Sequence, residues 1–156
     1  MGPGKIPNSN VLNCEHTWPQ SKFSGRFSKG LQKSDLHHLY PTDSRANSVR
    51  GNYEFDNVNG TPVNYENCTA SQTEGHGGAF EPPNDHKGNV ARALFYFSVR
   101  YDMSINANQE RVLREWDKLD PIDAEEINRN EIIFNVQNNR NPFIDFPHLV
   151  SLISNF

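Results

Sequence analysis

The stretch that decides the fold is VLNCEHTWPQSKFSGRFSKGLQKSDLHHLYPTDSRANSVRG, residues 11–51. Residues 11–18 predict a short strand that stops at Pro19, and residues 36–40 predict a second strand that stops at Pro41, because proline cannot donate to a strand ladder. The polar residues between them, punctuated by glycine, predict a loop. We therefore expect two short strands that can pair.

A short helix is predicted directly after the second strand. Thr42 and Asp43 are both suitable N-caps for a helix over residues 44–50, and Gly51 is suited to end it. The order strand, loop, strand, helix brings the first strand and the helix within reach of each other.

The densest set of reactive side chains lies in this same stretch. It comprises acid, imidazole, amide and guanidinium groups: Glu15, His16, Asp35, His37, His38, Asp43, Arg45, Asn47 and Arg50. Successive side chains of a strand point to opposite faces, so Glu15 and His16 can meet one substrate only at a strand end or a bulge. Pro19 lies nearby and makes a strand end the expectation.

The length and composition indicate one globular domain. The 156 residues are 35% hydrophobic and 22% charged, with 10 Gly and 10 Pro, so we expect short elements joined by long loops rather than an all-helical bundle. The expected organisation of residues 1–156 is a loose lead-in over 1–10, the strand–strand–helix core over 11–51, a long loop region over 52–84, and a helical part with a C-terminal strap over 85–156.

Three helices and an apolar tail are predicted in the C-terminal part, which makes the fold class α+β. The helices are predicted over residues 85–101, 108–119 and 124–138, and the strap over residues 141–153. Apolar residues at helical spacing predict one buried face on each helix: Val90, Ala93, Leu94, Phe97 and Tyr101 on the first, Val112, Leu113, Trp116 and Leu119 on the second, and Ile127, Ile132, Ile133 and Val136 on the third.

The charge distribution narrows the function classes. The net charge of −4 argues against a general nucleic-acid coat, but residues 1–50 sum to +4 and residues 51–156 to −8. A local anion-binding face is one interpretation, and plain charge balance is the other. No apolar run approaches the ~20 residues of a membrane span.

The cysteines and histidines do not indicate a zinc protein. Cys14 and Cys68 lack zinc-ligand spacing and can either bridge or stay free. Adjacent His37 and His38 point apart on a strand, which disfavours a zinc site that they would share with His16.

Several ordered blocks carry a family resemblance. They are CEHTWPQS at 14–21, DLHHLYPTD at 35–43, RANSVRGNY at 45–53, FEPP at 80–83, KG at 87–88, VARA at 90–93 and QNNRNPFID at 137–145. The series is similar to the bacterial endonuclease I family, which are non-specific DNA and RNA endonucleases of the ββα-metal (histidine-metal finger) group. The resemblance implies a ββα-metal nuclease core, with additional C-terminal helices and long loops.

The resemblance also implies a chemistry and its residues. The activity would be metal-dependent hydrolysis of phosphodiester bonds to 5′-phosphate and 3′-hydroxyl ends. By position in the motif, His16 matches the family's general base, and Glu15 and Asn47 match its metal ligands. Neutral imidazole suits a base at pH 7 because its unperturbed pKa is about 6.5. One carboxylate and one amide oxygen favour Mg²⁺ as cofactor, with Mn²⁺ or Ca²⁺ able to replace it in binding.

Phosphate contacts are expected from basic residues. Arg26 is the one arginine in the loop between the strands, and we assign it the catalytic phosphate-binding role. The other candidates for binding DNA phosphate are Arg45, Arg50, Lys22, Lys87 and Arg92. For Arg92 the alternative is a structural pair with Glu81 or Asp85. Asp35 and His37 are expected to support the metal and base residues.

The expected partner is DNA, with RNA as an alternative. Contacts to phosphate carry no sequence information, so we expect cleavage with little sequence preference, by a monomer. Two other functions stay open at this point: a non-catalytic nucleic-acid-binding module of the same fold, and a metal-dependent hydrolase of another phosphoester.

The location is expected to be secreted or periplasmic. The N-terminus shows no basic-then-apolar leader, and its Gly/Pro-rich start predicts that upstream residues were removed. We therefore expect a precursor with an export signal and no membrane partner for the mature protein.

Overall fold

The computed structural model of the protein describes residues 6–59, 62–65, 68–72 and 78–156. The strands are β1 (Leu12–His16), β2 (Leu39–Asp43), β3 (Glu54–Phe55), β4 (Val63–Asn64), β5 (Thr69–Gln72) and β6 (Ala79–Glu81). The helices are α1 (Lys29–Lys33), α2 (Ser44–Arg50), α3 (Lys87–Tyr101), α4 (Ala107–Leu119), α5 (Ala124–Gln137), α6 (Pro142–Asp145) and α7 (Leu149–Leu152), with single 3₁₀ turns at Gln20–Lys22, Leu36–His38 and Asn84–His86. This mixture of helices and short strands confirms the α+β class.

The N-terminal core is an antiparallel pair of strands followed by a helix. β1 pairs with β2, with Glu15 opposite Tyr40. Helix α2 begins where predicted, because Asp43 Oδ1 accepts from the backbone N–H groups of Arg45 and Ala46 at 2.9 and 3.0 Å. It ends at Gly51, whose φ of 51° lies in the region that favours glycine.

The second strand is displaced from its predicted position. Residues 36–38 form a 3₁₀ turn capped by the Asp35 side chain, which accepts from the His37 N–H, and β2 begins only at residue 39. The strand also continues through Pro41. Proline is tolerated there because the sheet has two strands and both are edges. The predicted loop between β1 and β2 contains a 3₁₀ turn and helix α1.

The predicted long loop region over 52–84 is partly a sheet, which corrects the prediction. Its strands follow the order β3-β6-β5-β4, with β3 and β6 parallel and the other neighbours antiparallel. The strands have two to four residues each. They were missed because such short strands in a polar, Asn/Gly-rich stretch show no period-two pattern.

Helix α3 is the centre of the hydrophobic core. The prediction of a single buried face is wrong, because Ala91, Arg92 and Phe95 are as buried as Leu94 and Phe97. The N-terminal core packs directly on this helix, where the Trp18 ring stacks on Phe97 with 5.2 Å between centroids. A helix that is buried on most of its sides lies between other elements rather than at the surface.

The remaining helices follow the prediction unevenly. Val112, Leu113 and Trp116 of α4 are buried as expected, whereas Leu119 is exposed. Of the four apolar residues predicted to pack on α5, Ile133 alone is buried. The C-terminal strap does pack back on the core, since Phe143 is 1% exposed and its ring lies edge-on to the Phe95 ring with 5.9 Å between centroids.

Candidate active site

An open cavity of about 440 Å³ lies where β1 ends and α2 begins its last turn. We call it the reaction cavity; its lining residues are Glu15, His16, Pro19, Gln20, Ser21, Asn47, Arg50, Gly51 and Asn52. His16 is the last residue of β1. The expectation that Glu15 and His16 meet at a strand end is therefore confirmed, and Asn47 joins them there.

The Glu15 carboxylate is buried and held by one arginine. Arg50 Nη1 donates to Glu15 Oε1 at 2.6 Å, and the guanidinium also donates to the carbonyl oxygens of His16 and Thr17 at 3.0 and 2.7 Å. Burial raises the pKa of Glu15 to about 7, although Arg50 acts in the opposite direction. The carboxylate is thus fixed in place but only partly compensated.

The Asn47 side chain is oriented through its nitrogen. Its Nδ2 donates to Asn13 Oδ1 at 2.7 Å and to the Cys14 carbonyl oxygen at 3.3 Å. Because an amide carries its oxygen opposite its nitrogen, these bonds keep Asn47 Oδ1 available as an acceptor or ligand. Asn13 is a site residue that the sequence did not reveal, since nothing in its spacing links it to a residue on α2.

The His16 ring is fixed by a main-chain carbonyl. Its Nε2 lies 3.1 Å from the Lys33 carbonyl oxygen, an acceptor, so Nε2 carries the hydrogen and Nδ1 keeps its lone pair. Gln20 Nε2 lies 3.4 Å from Nδ1. Burial lowers the pKa of His16 below its ordinary value, which favours the neutral ring at pH 7. A neutral, oriented imidazole in an open cavity is equipped to accept a proton.

The oxygen donors fit a hard divalent cation. A carboxylate and an amide side chain that line one open cavity suit Mg²⁺, which retains several waters when bound. Within the described ranges, no group of three His, Cys, Asp or Glu side chains converges as a metal site. A site with one carboxylate and one amide does not require such a group.

Comparison with known proteins fits this arrangement. A sequence model of the family described as Endonuclease I matches residues 3–148. The chain belongs to the endonuclease I family.

Individual relatives in this family carry nuclease names. The chain is 43% identical over 158 aligned positions to an extracellular ribonuclease of Bacillus subtilis (strain 168), covering 90% of this chain and 53% of the relative. It is 34% identical over 113 positions to an extracellular deoxyribonuclease of Aeromonas hydrophila (72% and 50%), and 33% identical over 122 positions to a periplasmic deoxyribonuclease of the same species (78% and 51%). The chain spans about half the length of the curated relatives it matches.

The two residues expected to support the site lie elsewhere in this endonuclease I chain. Asp35 accepts from the hydroxyl groups of Tyr96 and Tyr101 at 2.9 and 2.8 Å and from Gln137 Nε2 at 2.9 Å, so it links the N-terminal core to α3 and α5. His37 points to the Asn139 carbonyl oxygen at 3.1 Å. Neither residue lines the reaction cavity, and both predictions are corrected to structural roles.

His38, rather than His37, is the histidine beside His16. Its ring lies edge-on to the His16 ring with 5.4 Å between centroids, and its Nε2 lies 2.8 Å from the Gln32 carbonyl oxygen. Burial lowers the pKa of His38 to about 4. His38 therefore packs behind His16 as a neutral ring.

Three of the predicted phosphate contacts are buried. Arg92 is 1% exposed and bonds to Glu126 and Asp117. The alternative of a structural ion pair is therefore correct, but the acids are not the predicted Glu81 or Asp85. Lys87 pairs with Glu81 at 2.5 Å and is also buried. Arg50 is committed to Glu15. These burials contradict the prediction that the three side chains contact DNA.

The exposed cations remain candidates for phosphate contact. Arg45 is exposed on α2 and lies 6.0 Å from the centre of the Tyr65 ring. Lys22 is exposed and pairs with Glu54 at 3.5 Å. Arg26 pairs with Asp102 at the end of α3 and does not line the reaction cavity. The structure therefore does not bring Arg26 to His16.

The remaining two features are the state of the cysteines and the character of the helices. Cys14 and Cys68 are both free thiols, which resolves the choice that the sequence left open. In the part of the chain that the structure describes, no helix combines the length and apolar character needed to cross a membrane.

Proposed function

We propose that this chain is the catalytic part of a metal-dependent endonuclease that hydrolyses phosphodiester bonds of DNA and RNA to 5′-phosphate and 3′-hydroxyl ends, with little sequence preference. The observation that carries the proposal is the convergence of Glu15, His16 and Asn47 on one open cavity. Strands β1 and β2 with helix α2 would then be a ββα-metal core, within one nuclease domain. Relatives named ribonuclease and deoxyribonuclease support both substrates.

His16 would act as the general base. Its Nδ1 lone pair points away from the Lys33 carbonyl and can take a proton from a water held in the cavity. Gln20, the present neighbour of Nδ1, is exposed and free to move aside. The rigid position of the ring, between the Lys33 carbonyl and His38, keeps the lone pair aimed at one point.

Glu15 and Asn47 would hold the cation. When bound, Mg²⁺ supplies positive charge opposite the negative charge that develops on the phosphoryl and leaving oxygens. Arg50 orients the Glu15 carboxylate, and Asn13 orients the Asn47 amide. Arg45 would contact the substrate backbone without reading its sequence.

The cellular location and assembly are also proposals. Relatives carry the printed names extracellular and periplasmic, which supports a secreted or periplasmic enzyme. We propose that it acts as a monomer, because every side chain of the proposed chemistry comes from one chain.

A plasmid-nicking assay with Mg²⁺, and with EDTA in place of Mg²⁺, tests the activity. We expect nicking with Mg²⁺ and none with EDTA. A small aryl phosphodiester, assayed in parallel, separates a polynucleotide enzyme from a hydrolase of other phosphoesters, because the former should strongly prefer DNA or RNA. Binding of DNA without any nicking under either condition would instead indicate a non-catalytic module.

A further inference from the structure

A second, larger cavity of about 730 Å³ adjoins the reaction cavity. The two share Asn52, and a smaller cavity between them reaches from Pro19 and Arg50 to Tyr53. We call the larger one the amide groove, because Asn52, Asn106, Asn108 and Gln109 line it together with two aromatic residues, the half-buried Tyr53 and the buried Phe55. A polynucleotide that crosses the reaction cavity can therefore continue into this groove.

Tyr53 is held at a fixed position relative to the metal-ligand candidate Asn47. The Gly51 N–H donates to the Asn47 carbonyl oxygen at 3.0 Å, and the Tyr53 N–H donates to the Arg50 carbonyl oxygen at 3.0 Å. The Tyr53 ring is half-buried against the hydrophobic core. The aromatic face is thus a rigid platform beside the reaction cavity rather than a mobile surface side chain.

The opposite wall of the groove is the start of α4. Asn106 caps this helix by accepting from the Asn108 N–H at 2.9 Å. The side-chain amides of Asn108 and Gln109 make no hydrogen bond to another described residue and line the groove. An amide offers a donor and an acceptor side by side, which is the pattern that base edges match.

The charges of the groove disfavour phosphate. Lys22 is its one cationic side chain among the described residues, and this lysine is paired with Glu54 at 3.5 Å. Glu54 and Asp56 both line the groove, so the local charge is negative. A phosphate would be repelled here, whereas an uncharged base that donates amino hydrogens to carboxylates or amides would be accepted.

We propose that the amide groove binds an unpaired nucleobase of the strand being cut, stacked on Tyr53 and hydrogen-bonded by Gln109 and Asn108. The inference rests on the proposed nuclease function, because it places the scissile phosphate in the reaction cavity. A base that is paired in a duplex cannot enter the groove without leaving its stack. The subsite therefore favours single-stranded substrate, and either DNA or RNA can supply the base.

Binding measured without cleavage tests the subsite directly. Fluorescence anisotropy in EDTA gives the affinity of wild-type protein for a single-stranded DNA, a single-stranded RNA and a duplex DNA of the same length. Tyr53→Ala should lower the ratio of single-strand to duplex affinity roughly tenfold, since stacking on an aromatic ring contributes on that scale. Tyr53→Phe should preserve the ratio because it keeps the ring, and Gln109→Ala should lower it by a smaller factor.

A matched control and a positional readout sharpen the result. Asn135→Ala removes an exposed amide on α5, remote from the groove, and should leave the affinity ratio at the wild-type value. With Mg²⁺, single-stranded oligonucleotides that carry one abasic nucleotide should show reduced cutting at a fixed offset from that nucleotide, and Tyr53→Ala should erase this dip. An unchanged ratio in Tyr53→Ala, or equal cutting around the abasic position in wild type, would overturn the inference. Failure of the proposed nuclease function would appear differently, as intact binding ratios with no Mg²⁺-dependent cleavage.

Discussion

Two buried arginines show how differently one kind of ion pair is built in two parts of the molecule. Arg92 of α3 donates to both oxygens of Glu126 at 2.8 and 2.7 Å and to Asp117 at 2.9 Å. Arg50 of α2 donates to one oxygen of Glu15 at 2.6 Å, and its other bonds go to main-chain carbonyls. Two carboxylates face the first guanidinium, and one faces the second.

The difference separates an arginine that holds helices together, Arg92, from one that lies at the proposed site, Arg50. The Arg92 network is a closed one: it is almost fully buried between α3, α4 and α5, and both of its carboxylates bond to the guanidinium. The pair of Arg50 and Glu15 opens onto the reaction cavity, and the buried carboxylate keeps a pKa of about 7 despite its arginine. What distinguishes Glu15 is therefore its access to the reaction cavity, which a cation can enter.

Breaking the closed network should have the largest effect. Arg92→Met should lower the free energy of unfolding by about 3–5 kcal/mol, because it leaves Glu126 and Asp117 without their buried counter-charge. Urea denaturation at pH 7 measures this loss. Arg111→Ala, which removes an exposed pair with Glu115, should change stability by less than about 1 kcal/mol. Equal losses in the two variants would contradict the structural role of Arg92.

Removing the proposed base, His16, should affect the cleavage rate rather than stability. His16→Ala should slow DNA cleavage by at least ~10²-fold, the lower range for a positioned general base, while the unfolding curve and DNA binding stay close to wild type. Initial rates on supercoiled plasmid measure the effect. Retention of more than roughly a tenth of the wild-type rate would remove His16 from this role.

The two arginines also show what the sequence could and could not predict. Local signals in residues 11–51 were sufficient to predict α2, because Asp43 and Gly51 cap its two ends through contacts within the adjacent turns. The convergence of Glu15 and His16 was predictable because the nearby Pro19 indicated a strand end, and β1 does end at His16. The partners of Arg92 lie 25 and 34 positions away, and no local pattern distinguishes such an arginine from an exposed one.

The same limit explains the other errors. The periodicity of α3 suggested one apolar face, but a helix enclosed by several elements also buries the residues between. On α5 the exposed Ile127 and Val136 follow a helical period that the packing does not use. The pairing of Arg50 with Glu15 was not predicted, because Glu15 lies 35 positions earlier in the chain. Arg50 was therefore assigned to phosphate contact. Tertiary pairing, rather than propensity, decided each of these cases.

The buried histidine behind His16, His38, should make stability depend on pH. The pKa of His38 is about 4 in the folded protein, and its ordinary value is 6.5, so the unfolded chain binds the proton more readily as pH falls. The contribution of His38 to stability is therefore complete above pH 6.5 and is lost as pH falls towards 4. When pH falls from 6.5 to 5, the decrease in the free energy of unfolding should be about 1–2 kcal/mol smaller in His38→Gln than in wild type. Urea denaturation at both pH values measures this difference, and identical pH dependence would show that His38 is not the group responsible.

Removing the exposed arginine of the first loop should have the smallest effect. Arg26 pairs with Asp102 at the surface, and exposed pairs of this kind contribute less than about 1 kcal/mol. Arg26→Ala should therefore keep stability and plasmid cleavage within about twofold of wild type. A loss of rate similar to that of His16→Ala would restore Arg26 as the catalytic phosphate contact.

The central claim is that the Arg50–Glu15 pair, which opens onto the reaction cavity, helps to bind a cation, whereas the Arg92 network does not. Mg²⁺ binding by calorimetry, together with the Mg²⁺ concentration for half-maximal cleavage, should be measured for wild type, Glu15→Gln and Glu126→Gln. The account predicts that Glu15→Gln weakens Mg²⁺ binding by at least roughly tenfold, within the range of changes around a metal site, and raises the Mg²⁺ requirement, while Glu126→Gln loses stability but keeps the wild-type requirement. Wild-type Mg²⁺ binding in Glu15→Gln, or cleavage that persists in EDTA, would contradict it.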